Sequence, residues 1–141
     1  MTTIEQTLEA IKSVGFYINP SQLEAIGNGV RTSEGEFFKS KLVELADTVE
    51  NMPVTYEQDG KGDEAVAYLH YFHGDFDWWI TEKDMEGGIQ QAFGLASMQC
   101  AELGYISILE LTQNNIELDL HFKPTTLGEI KKALKEKGLY V

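Results

Sequence analysis

Apolar residues recur at helical spacing through the first third of the chain. Between Ile4 and Val14 they return every three or four positions, Thr3 stands at an N-cap position, and Gly15 follows as a stop signal. Further along, Pro20 restarts the chain, and a short run that ends in Gly-Asn-Gly has a helical composition. These signals predict three helices, over residues 4–14, 21–26 and 36–50.

The middle of the chain changes from helical spacing to strand-like patterns. Residues 52–64 are polar, contain Gly and Asp, and lack periodicity, which predicts a loop or a mobile linker. Two segments rich in aromatic and β-branched residues follow, AVAYLHYF and DFDWWITE, and Gly74-Asp75 between them suits a two-residue hairpin turn. The segments IQQAFGLAS and GYI are the third and fourth predicted strands.

Capping signals and one more alternating segment mark the last third of the chain. Ser107 and Glu110 have the spacing of a capping box, and Thr126 and Glu129 repeat it, so each pair is expected to open a helix. The first of these helices should end near residue 112 and the second at Gly138. Between them, the segment IELDLHF alternates apolar and polar residues, as a half-buried strand does.

These elements predict an α+β fold, with N-terminal helices followed by a mostly antiparallel β-sheet and two helices in the C-terminal half. An apolar fraction of 43% in 141 residues is enough to build one core, so we expect a single domain over residues 1–141. Within it, residues 1–51 are the helical part, residues 52–64 the loop, and residues 65–141 the sheet-containing part.

The predicted hairpin turn determines which residues face each other across its two strands. Counting outward from the turn pairs His73 with Phe76 and His70 with Trp79. One face is typical of a core and carries Ala67, Leu69, Tyr71, Phe76, Trp78 and Ile80. The other face combines aromatic area with polar groups and carries Tyr68, His70, Phe72, Asp77, Trp79 and Thr81. This second face is either a binding surface or a layer covered by the N-terminal helices, which would place Trp79 in the core.

The two histidines of the hairpin do not predict a metal site. His70 and His73 lie an odd number of positions apart in one strand and point to opposite faces, and the single Cys100 offers no zinc-binding cluster. No nucleophile elbow, zinc-protease, Walker A or dinucleotide-binding motif occurs. We therefore predict no metal, no cofactor and no enzymatic activity. An enzymatic alternative would use His70, Asp77 and His121 as an acid/base group, with at least two of them in one concave pocket.

Acidic residues dominate the charge of the chain and are concentrated in its middle. The net charge is −12, made up of −4 over residues 1–50 (8 acids, 4 bases), −11 over residues 51–120 (13 acids, 2 bases) and +3 over residues 121–141 (2 acids, 5 bases). Such a field repels nucleic acid and attracts the basic groove of a protein that binds nucleic acid, although acidity also serves solubility. We expect no direct nucleic-acid binding.

Without a long apolar run or a signal-peptide pattern, we expect the protein in the host cell cytoplasm, away from the membrane.

Four segments in the second half of the chain resemble a known family. They are WWITE (Trp78 to Glu82), FGLAS (Phe93 to Ser97), ELGYISILEL (Glu102 to Leu111) and LDLHFKPTTLGEI (Leu118 to Ile130). In this order they are similar to short proteins of unknown function that plasmids, conjugative elements and phages carry. The segment TQNNIE is shorter than the Gly/Pro-rich insert of that family, and residues 1–75 have no counterpart in the resemblance. The resemblance implies a mobile-element setting and brings no catalytic residue with it.

The charge, the resemblance and the lack of catalytic motifs together predict a non-enzymatic counter-defence protein. It would inhibit a host CRISPR or restriction complex either by DNA mimicry, with carboxylates where phosphates would lie in a basic groove, or by blocking a protein contact or forcing dimerisation. The predicted partner interface consists of Asp59, Asp63, Glu64, Tyr68, His70, Asp75, Asp77, Trp79, Glu82, Asp84 and Glu86. Trp79 would be its apolar anchor. The alternative is an accessory or regulatory module of a mobile element that binds the element's own proteins.

Overall fold

Three helices form the N-terminal part of the structure, a computed structural model that describes residues 2–138. They are α1 (Ile4–Val14), α2 (Pro20–Val30) and α3 (Gly35–Asn51), with a turn of 3-10 helix at Gly15–Tyr17 after α1. The side chain of Thr3 accepts the backbone N–H of Gln6, so Thr3 caps α1 as predicted. The first and third predicted helices are confirmed. None of the helices within residues 2–138 is both long and apolar enough to cross a membrane.

The second helix is longer than predicted. It continues through the Gly-Asn-Gly run to Val30, whereas the sequence suggested an end at Ile26. The cause lies in tertiary packing, because a Cβ atom at Gly29 would lie 2.5 Å from Cε2 of Phe38. The glycine thus allows the ring of Phe38 in α3 to pack directly on the backbone of α2, and this packing outweighs the low helix propensity of glycine.

An antiparallel sheet follows the helices. In chain order the strands are β1 (Val66–Ala67), β2 (Leu69–His73), β3 (Phe76–Glu82), β4 (Ala92–Ser97), β5 (Ala101–Ile106), β6 (Glu117–Leu118) and β7 (Thr125–Thr126). Two further helices are α4 (Ile108–Gln113), capped by Ser107, and α5 (Leu127–Glu136), capped by Thr126. Five strands pair in the order β5-β4-β3-β2-β6, all antiparallel, and β1 pairs separately with β7. The predicted α+β fold is confirmed.

The register of the β2–β3 hairpin follows the prediction from its turn. His73 is the Cα partner of Phe76 beside the turn, and His70 is the partner of Trp79 farther along β2. Gly74 adopts a φ of +59°, the left-handed conformation that such tight turns require and that glycine adopts without strain. As expected, His70 and His73 therefore point to opposite faces of the sheet.

The fourth predicted strand, GYI, is only the second half of the six-residue strand β5, and two other predicted strands also differ in the structure. The segment IELDLHF forms only the two-residue strand β6, because the chain turns at Asp119, whose Oδ1 accepts the backbone N–H of His121 at 2.9 Å. The segment AVAYLHYF is divided at Tyr68 into β1 and β2, which belong to different sheets. Ala67 consequently packs with Trp79 and not with Leu69, which corrects its predicted face.

The central strands of the five-stranded sheet are covered on both faces. On one face, Leu69, Tyr71 and Ile80 pack in one hydrophobic cluster with residues of α1, α2, α3 and α4. On the other face, Trp79 and Leu95 pack with the apolar residues of α5. Trp79 is only 9% exposed, and the helix that covers it is α5, on the face opposite the N-terminal helices. The sheet is thus the middle layer of three.

Buried polar contacts hold the helical layer on the sheet. The hydroxyl of Tyr71 donates to the carbonyl oxygen of Tyr17 at 2.6 Å, and burial raises the pKa of the Tyr71 phenol well above its usual value. At the edge of the sheet, the side chain of Gln22 in α2 donates to the carbonyl oxygen of Leu118 at 2.7 Å and accepts its N–H at 2.9 Å. These bonds pair α2 with β6 much as a neighbouring strand would.

Buried Gln58 is one of the side chains that hold the loop between α3 and β1 in place. Gln58 uses both hydrogens of its amide nitrogen, donating to the carbonyl oxygens of Val66 and Thr81 at 2.8 Å each. Its amide oxygen accepts the backbone N–H of Val66 at 2.7 Å. Residues 52–64 therefore form a loop as predicted, but this loop is bonded to β1 and β3, which corrects the expectation of a mobile linker.

Replacing Gly94 should disrupt the sheet, because an added Cβ would overlap the carbonyl oxygen of Trp79 in β3. We expect Gly94→Ala to lower the free energy of unfolding by about 3 kcal/mol or more. Gly104 is the Cα partner of Gly94 in β5 and has open space around it, so Gly104→Ala is the matched control and should change stability by less than about 1 kcal/mol. Urea unfolding followed by tryptophan fluorescence measures both; equal effects would contradict the packing shown.

Removing the side chain of Gln58 should loosen the loop, because three buried backbone groups would lose their partner. We expect Gln58→Ala to lower the free energy of unfolding by about 3 kcal/mol. Exposed Gln90 provides the control, and Gln90→Ala should change it by less than about 0.5 kcal/mol. Urea unfolding gives both values, and amide hydrogen exchange of residues 52–64 should rise in the Gln58 variant alone. Unchanged exchange there would show that other contacts hold the loop.

Candidate functional site

Four large side chains form a surface beside β5, at one edge of the sheet. Leu103 and Tyr105 of β5 are 49% and 57% exposed, and Tyr56, from the loop before β1, is 60% exposed. The ring of Phe93 in β4 meets that of Tyr105 edge-on, with centroids 5.7 Å apart. The hydroxyls of Tyr56 and Tyr105 form a hydrogen bond, which raises the pKa of the Tyr105 phenol. We call Tyr56, Phe93, Leu103 and Tyr105 the edge surface.

Strand β5 leaves one of its backbone edges open. It pairs with β4 on one side, and no strand within residues 2–138 pairs with its other side. Six extended residues present about 20 Å of backbone donors and acceptors. The sequence AELGYI contains neither Pro nor Lys, the residues that often protect edge strands from pairing. The edge of β5 is therefore free to pair with another extended chain.

A small cavity lies beside the edge surface. Its volume is about 220 Å³, and its walls come from the loop before β1, from β3, β4 and β5, and from α5. Tyr56, Phe93 and Leu103 of the edge surface contribute to these walls, and Asp59 and Glu82 bring carboxylates. We call this cavity the edge pocket. Cavities that enclose drug-sized ligands are larger, so the edge pocket suits a single side chain or a small group.

A buried carboxylate forms part of the wall of the edge pocket. Glu82 is 4% exposed; its Oε1 accepts the backbone N–H of Tyr56 at 3.1 Å, and its Oε2 accepts the hydroxyl of Thr81. Within residues 2–138, Glu82 makes no ion pair. Burying a carboxylate is unfavourable, and hydrogen bonds from neutral groups offset only part of that cost. Glu82 is thus a negative charge that lacks a cation in the described chain.

The backbone of the loop holds Tyr56 in an uncommon conformation. Its φ is +80°, which is rare for a residue with a bulky side chain. The hydrogen bond from its N–H to Glu82 stabilises this conformation. Two bonds of Thr55 also stabilise it: its N–H donates to the carbonyl oxygen of Lys83 at 2.9 Å, and its hydroxyl donates to the carbonyl oxygen of Gln91 at 3.0 Å. Tyr56 thus lines the edge pocket from a bonded backbone, and its hydroxyl contacts that of Tyr105.

The structure separates the acidic residues that the sequence grouped as one array. Asp59, Asp63, Glu64, Asp75 and Glu86 are exposed and Asp77 is half-buried, and of these only Asp59 lines the edge pocket. Asp75 and Glu86 flank opposite ends of β3, whose seven residues span about 23 Å. Asp63 is bound by the ammonium of Lys131 at 2.7 Å, and this hydrogen bond lowers the pKa of its carboxyl group.

Three residues of the predicted partner interface are buried and do not belong to an exposed array of charges. Trp79 is covered by α5, as described above. Glu82 is turned into the edge pocket by its hydrogen bonds. Asp84 is 7% exposed, and its Oδ1 accepts the backbone N–H of Glu86 at 2.9 Å. Acidic residues are placed on the surface by default, but these two follow β3 into the region where the loop and the sheet meet.

His70 is part of a separate polar cluster on the α5 side of the sheet. Its Nε2 lies 2.8 Å from Oδ1 of Asp77 and its Nδ1 lies 3.0 Å from Oδ2 of Asp119. The imidazole also stacks on the ring of Trp79, with centroids 5.1 Å apart and planes inclined by 11°. The sequence indicated His70 and Asp77 but missed Asp119, because the turn after β6 that brings it near could not be read from a pattern typical of a strand.

His70, Asp77 and His121 of the enzymatic alternative do not share a cavity in the part of the chain that the structure describes. His121 lies elsewhere, with its ring 5.7 Å from that of Phe37, and neither His70 nor Asp77 lines any of the cavities described here. Tyr68 lines a different cavity of about 340 Å³, together with Asp119 and Lys123. Within residues 2–138, no group of three His, Cys, Asp or Glu side chains is placed to hold a metal ion.

Sequence reasoning missed the edge surface, although a signal for it existed. Leu103 and Tyr105 alternate in one strand, and Phe93 is the Cα partner of Tyr105, so the three side chains share one face. All three, as well as Glu82, lie in the segments WWITE, FGLAS and ELGYISILEL that carry the resemblance. Which strand forms the edge of the sheet, however, depends on the topology and not on the pattern within one strand.

One protein family matches most of the chain. A family described as a protein of unknown function, DUF2958, matches residues 39–137. The match contains all seven strands, α4, α5 and most of α3, and it begins well before Phe76, where the resemblance from the sequence segments began. No curated protein and no solved structure matched the chain. Because the match spans more than half of the chain and contains the whole edge pocket, the protein belongs to the DUF2958 family.

Proposed function

We propose that the protein is a non-enzymatic inhibitor that binds a nucleic-acid-handling protein of the host cell, such as a CRISPR or restriction complex. The observation that carries this proposal is the open edge of β5 with the exposed side chains of Leu103 and Tyr105. The resemblance to proteins of plasmids, conjugative elements and phages supports the counter-defence setting. Membership of the DUF2958 family leaves the activity open.

The edge surface has the composition of a binding surface. Tyrosine provides a large contact area with few rotatable bonds and is enriched among the residues that dominate binding energy. An open strand edge adds main-chain hydrogen bonds when an extended segment of a partner pairs with it. The opposite edge of the sheet, β6, has only two residues, so β5 provides the longer docking edge.

The charge around the edge surface supports a basic partner. Asp59 lines the edge pocket, Glu57 is exposed on the same loop, and Glu102 is exposed beside Leu103 in β5. The whole chain carries a net charge of −12. Such a field accelerates association with a positively charged surface and opposes association with nucleic acid itself. Proteins that handle nucleic acid present surfaces of the required sign.

The arrangement of the polar residues supports a non-enzymatic role. His70 is held between two carboxylates and stacked on Trp79, and it lines none of the cavities described above. The edge pocket contains carboxylates but no histidine, cysteine or lysine in its lining. A general base would require a partner group and space for a substrate at hydrogen-bonding distance.

Substituting Leu103 by lysine should remove the contact without unfolding the protein, because the side chain is exposed and lysine on an edge strand opposes pairing. We expect tagged protein to retain a nucleic-acid-binding protein from host lysate at low salt, and Leu103→Lys to retain at least about tenfold less. Leu8→Lys makes the same change at an exposed leucine of α1 and is the matched control. The activity of the retained protein on nucleic acid is then measured with the unaltered chain, with Leu103→Lys and with Leu8→Lys as added inhibitors.

The outcomes separate the alternatives. Full retention by Leu103→Lys, or equal loss with Leu8→Lys, would exclude the edge of β5 as the contact. Retention of only the mobile element's own replication or transfer proteins, without inhibition, would favour an accessory or regulatory module. A dimer in light scattering that Leu103→Lys dissociates would assign the edge to a second copy of the chain and overturn the proposal.

DNA mimicry is a second candidate mechanism for the same inhibition. Its supporting observation is that nine of the 13 acidic residues between positions 51 and 120 are exposed: Glu57, Asp59, Asp63, Glu64, Asp75, Glu86, Glu102, Glu110 and Glu117. These side chains would occupy a basic groove in place of phosphates. Binding of this kind weakens steeply as salt displaces the charge interactions.

Neutralising exposed acids tests mimicry directly. Under mimicry, combining Glu64→Gln, Asp75→Asn and Glu86→Gln should weaken binding to the retained protein by about tenfold at low salt and flatten its salt dependence. The combination of Glu5→Gln, Glu9→Gln and Glu24→Gln removes as much charge from the helical part and is the control. The affinity of each combination is measured across a salt series. Equal effects of the two combinations would contradict mimicry, because the acids would then act only through the net charge of the chain.

A further inference from the structure

We infer that the edge pocket binds a lysine or arginine side chain from a partner segment that pairs with β5 as an additional strand. The inference rests on the proposed function, because it names the chemistry that the same edge would recognise. Three features carry it: the buried carboxylate of Glu82, the aromatic rings around the pocket, and the geometry of the open edge.

Glu82 has the capacity to accept a cation. Each carboxylate oxygen offers two acceptor positions, and the described chain occupies one on each, from the N–H of Tyr56 and the hydroxyl of Thr81. Gln58 lines the same pocket, but both hydrogens of its amide nitrogen are used by the carbonyl oxygens of Val66 and Thr81. A positive group that enters the pocket would therefore meet a carboxylate with free acceptor positions.

The aromatic rings around the edge pocket favour a positive group as well. Tyr56 and Phe93 line the pocket, and the ring of Tyr105 stands against that of Phe93. The faces of such rings attract lysine and, more often, arginine, and the attraction grows when water is excluded. The apolar stem of a long basic side chain would pack on Leu103 while its charged end approaches Glu82.

Other occupants fit the pocket less well. A neutral apolar side chain would exclude water from Glu82 without replacing its hydrogen bonds, which is unfavourable for a carboxylate. An anion would be repelled by Glu82 and by Asp59 at the same cavity. The positive charge that the pocket requires is also the charge that the −12 net charge of the chain attracts.

The register of an added strand would aim the right side chains at the pocket. Residues directly opposite each other in paired strands share a face, as Phe93 and Tyr105 do across β4 and β5. A partner residue opposite Leu103 would therefore lie on the face of the edge pocket, and its neighbours in the strand would point away. One basic residue in an extended segment is thus enough to combine main-chain pairing with occupation of the pocket.

The inference is tested with n-butylguanidinium, n-butylammonium and, as the uncharged control, n-butanol, added to the full chain at constant ionic strength. We expect saturable amide NMR shifts of Tyr56, Thr81 and Leu103 with both cations, at concentrations at least about tenfold lower than with n-butanol. Glu82→Gln keeps the shape of the side chain and an acceptor for Tyr56, and it should weaken binding of both cations by at least about tenfold. Glu24→Gln, which removes an exposed charge from α2, should leave it unchanged.

Peptides then connect the pocket to the edge. The extended peptide acetyl-Thr-Val-Arg-Val-Thr-amide should bind at least about tenfold more tightly than the same peptide with norleucine in place of arginine. Leu103→Lys should abolish binding of both peptides. If Glu82→Gln proves unstable in urea unfolding, Tyr105→Leu serves as the second variant, because it keeps apolar area and removes one ring from a largely exposed position.

Equal binding of n-butanol and the cations, or unchanged binding by Glu82→Gln and Tyr105→Leu, would overturn the inference. The proposed function would still stand if Leu103→Lys abolished retention of the partner while Glu82→Gln retained it fully. Conversely, charge-dependent binding of n-butylguanidinium without any retained host protein would leave the pocket assigned and the inhibitor proposal rejected.

Discussion

Burial of strand β3 from both sides is the constraint on which the rest of the structure depends. Ile80 faces the layer of helices and the adjacent Trp79 faces α5, so both faces of the sheet are covered at its centre. Close strand packing, with Gly94 against the backbone of Trp79, makes this arrangement possible. A sheet whose centre is covered on both faces is open to binding at its edge strands, and the topology leaves β5 as the longer of the two.

Two buried polar side chains beside the edge differ in how completely they are satisfied. Gln58 forms three hydrogen bonds with backbone groups and thereby fixes the loop before β1. Glu82 follows Thr81, whose carbonyl oxygen Gln58 binds. It accepts hydrogen bonds from Tyr56 and Thr81 but pairs with no cation in the described chain. The first is what a stable fold requires. The second is a buried carboxylate without a cation partner among the described residues, and the basic side chain that we infer would supply one.

Local signals predicted the elements well, and long-range contacts account for the departures. Caps at Thr3, Ser107 and Thr126 and the turn at Gly74 act over a few residues, so helix starts and the hairpin register could be read from the sequence. The extension of α2 past its glycines and the early end of β6 depend on partners distant in the chain. The burial of Glu82 was unpredictable for the same reason: the loop that covers it comes from 26 positions earlier.

The open edge of β5 also explains why strong acidity is useful to this chain in the absence of any partner. A bare strand edge tends to pair with the same edge of another molecule, and repetition of that contact builds larger assemblies. Two copies that approach through β5 bring together surfaces of like charge, in a chain of net charge −12, and repel each other. Negative charge thus opposes contact between identical copies, and under the proposed function the same charge attracts a basic partner. The negative charge would therefore keep the protein from self-associating and, under the proposed function, favour a basic partner.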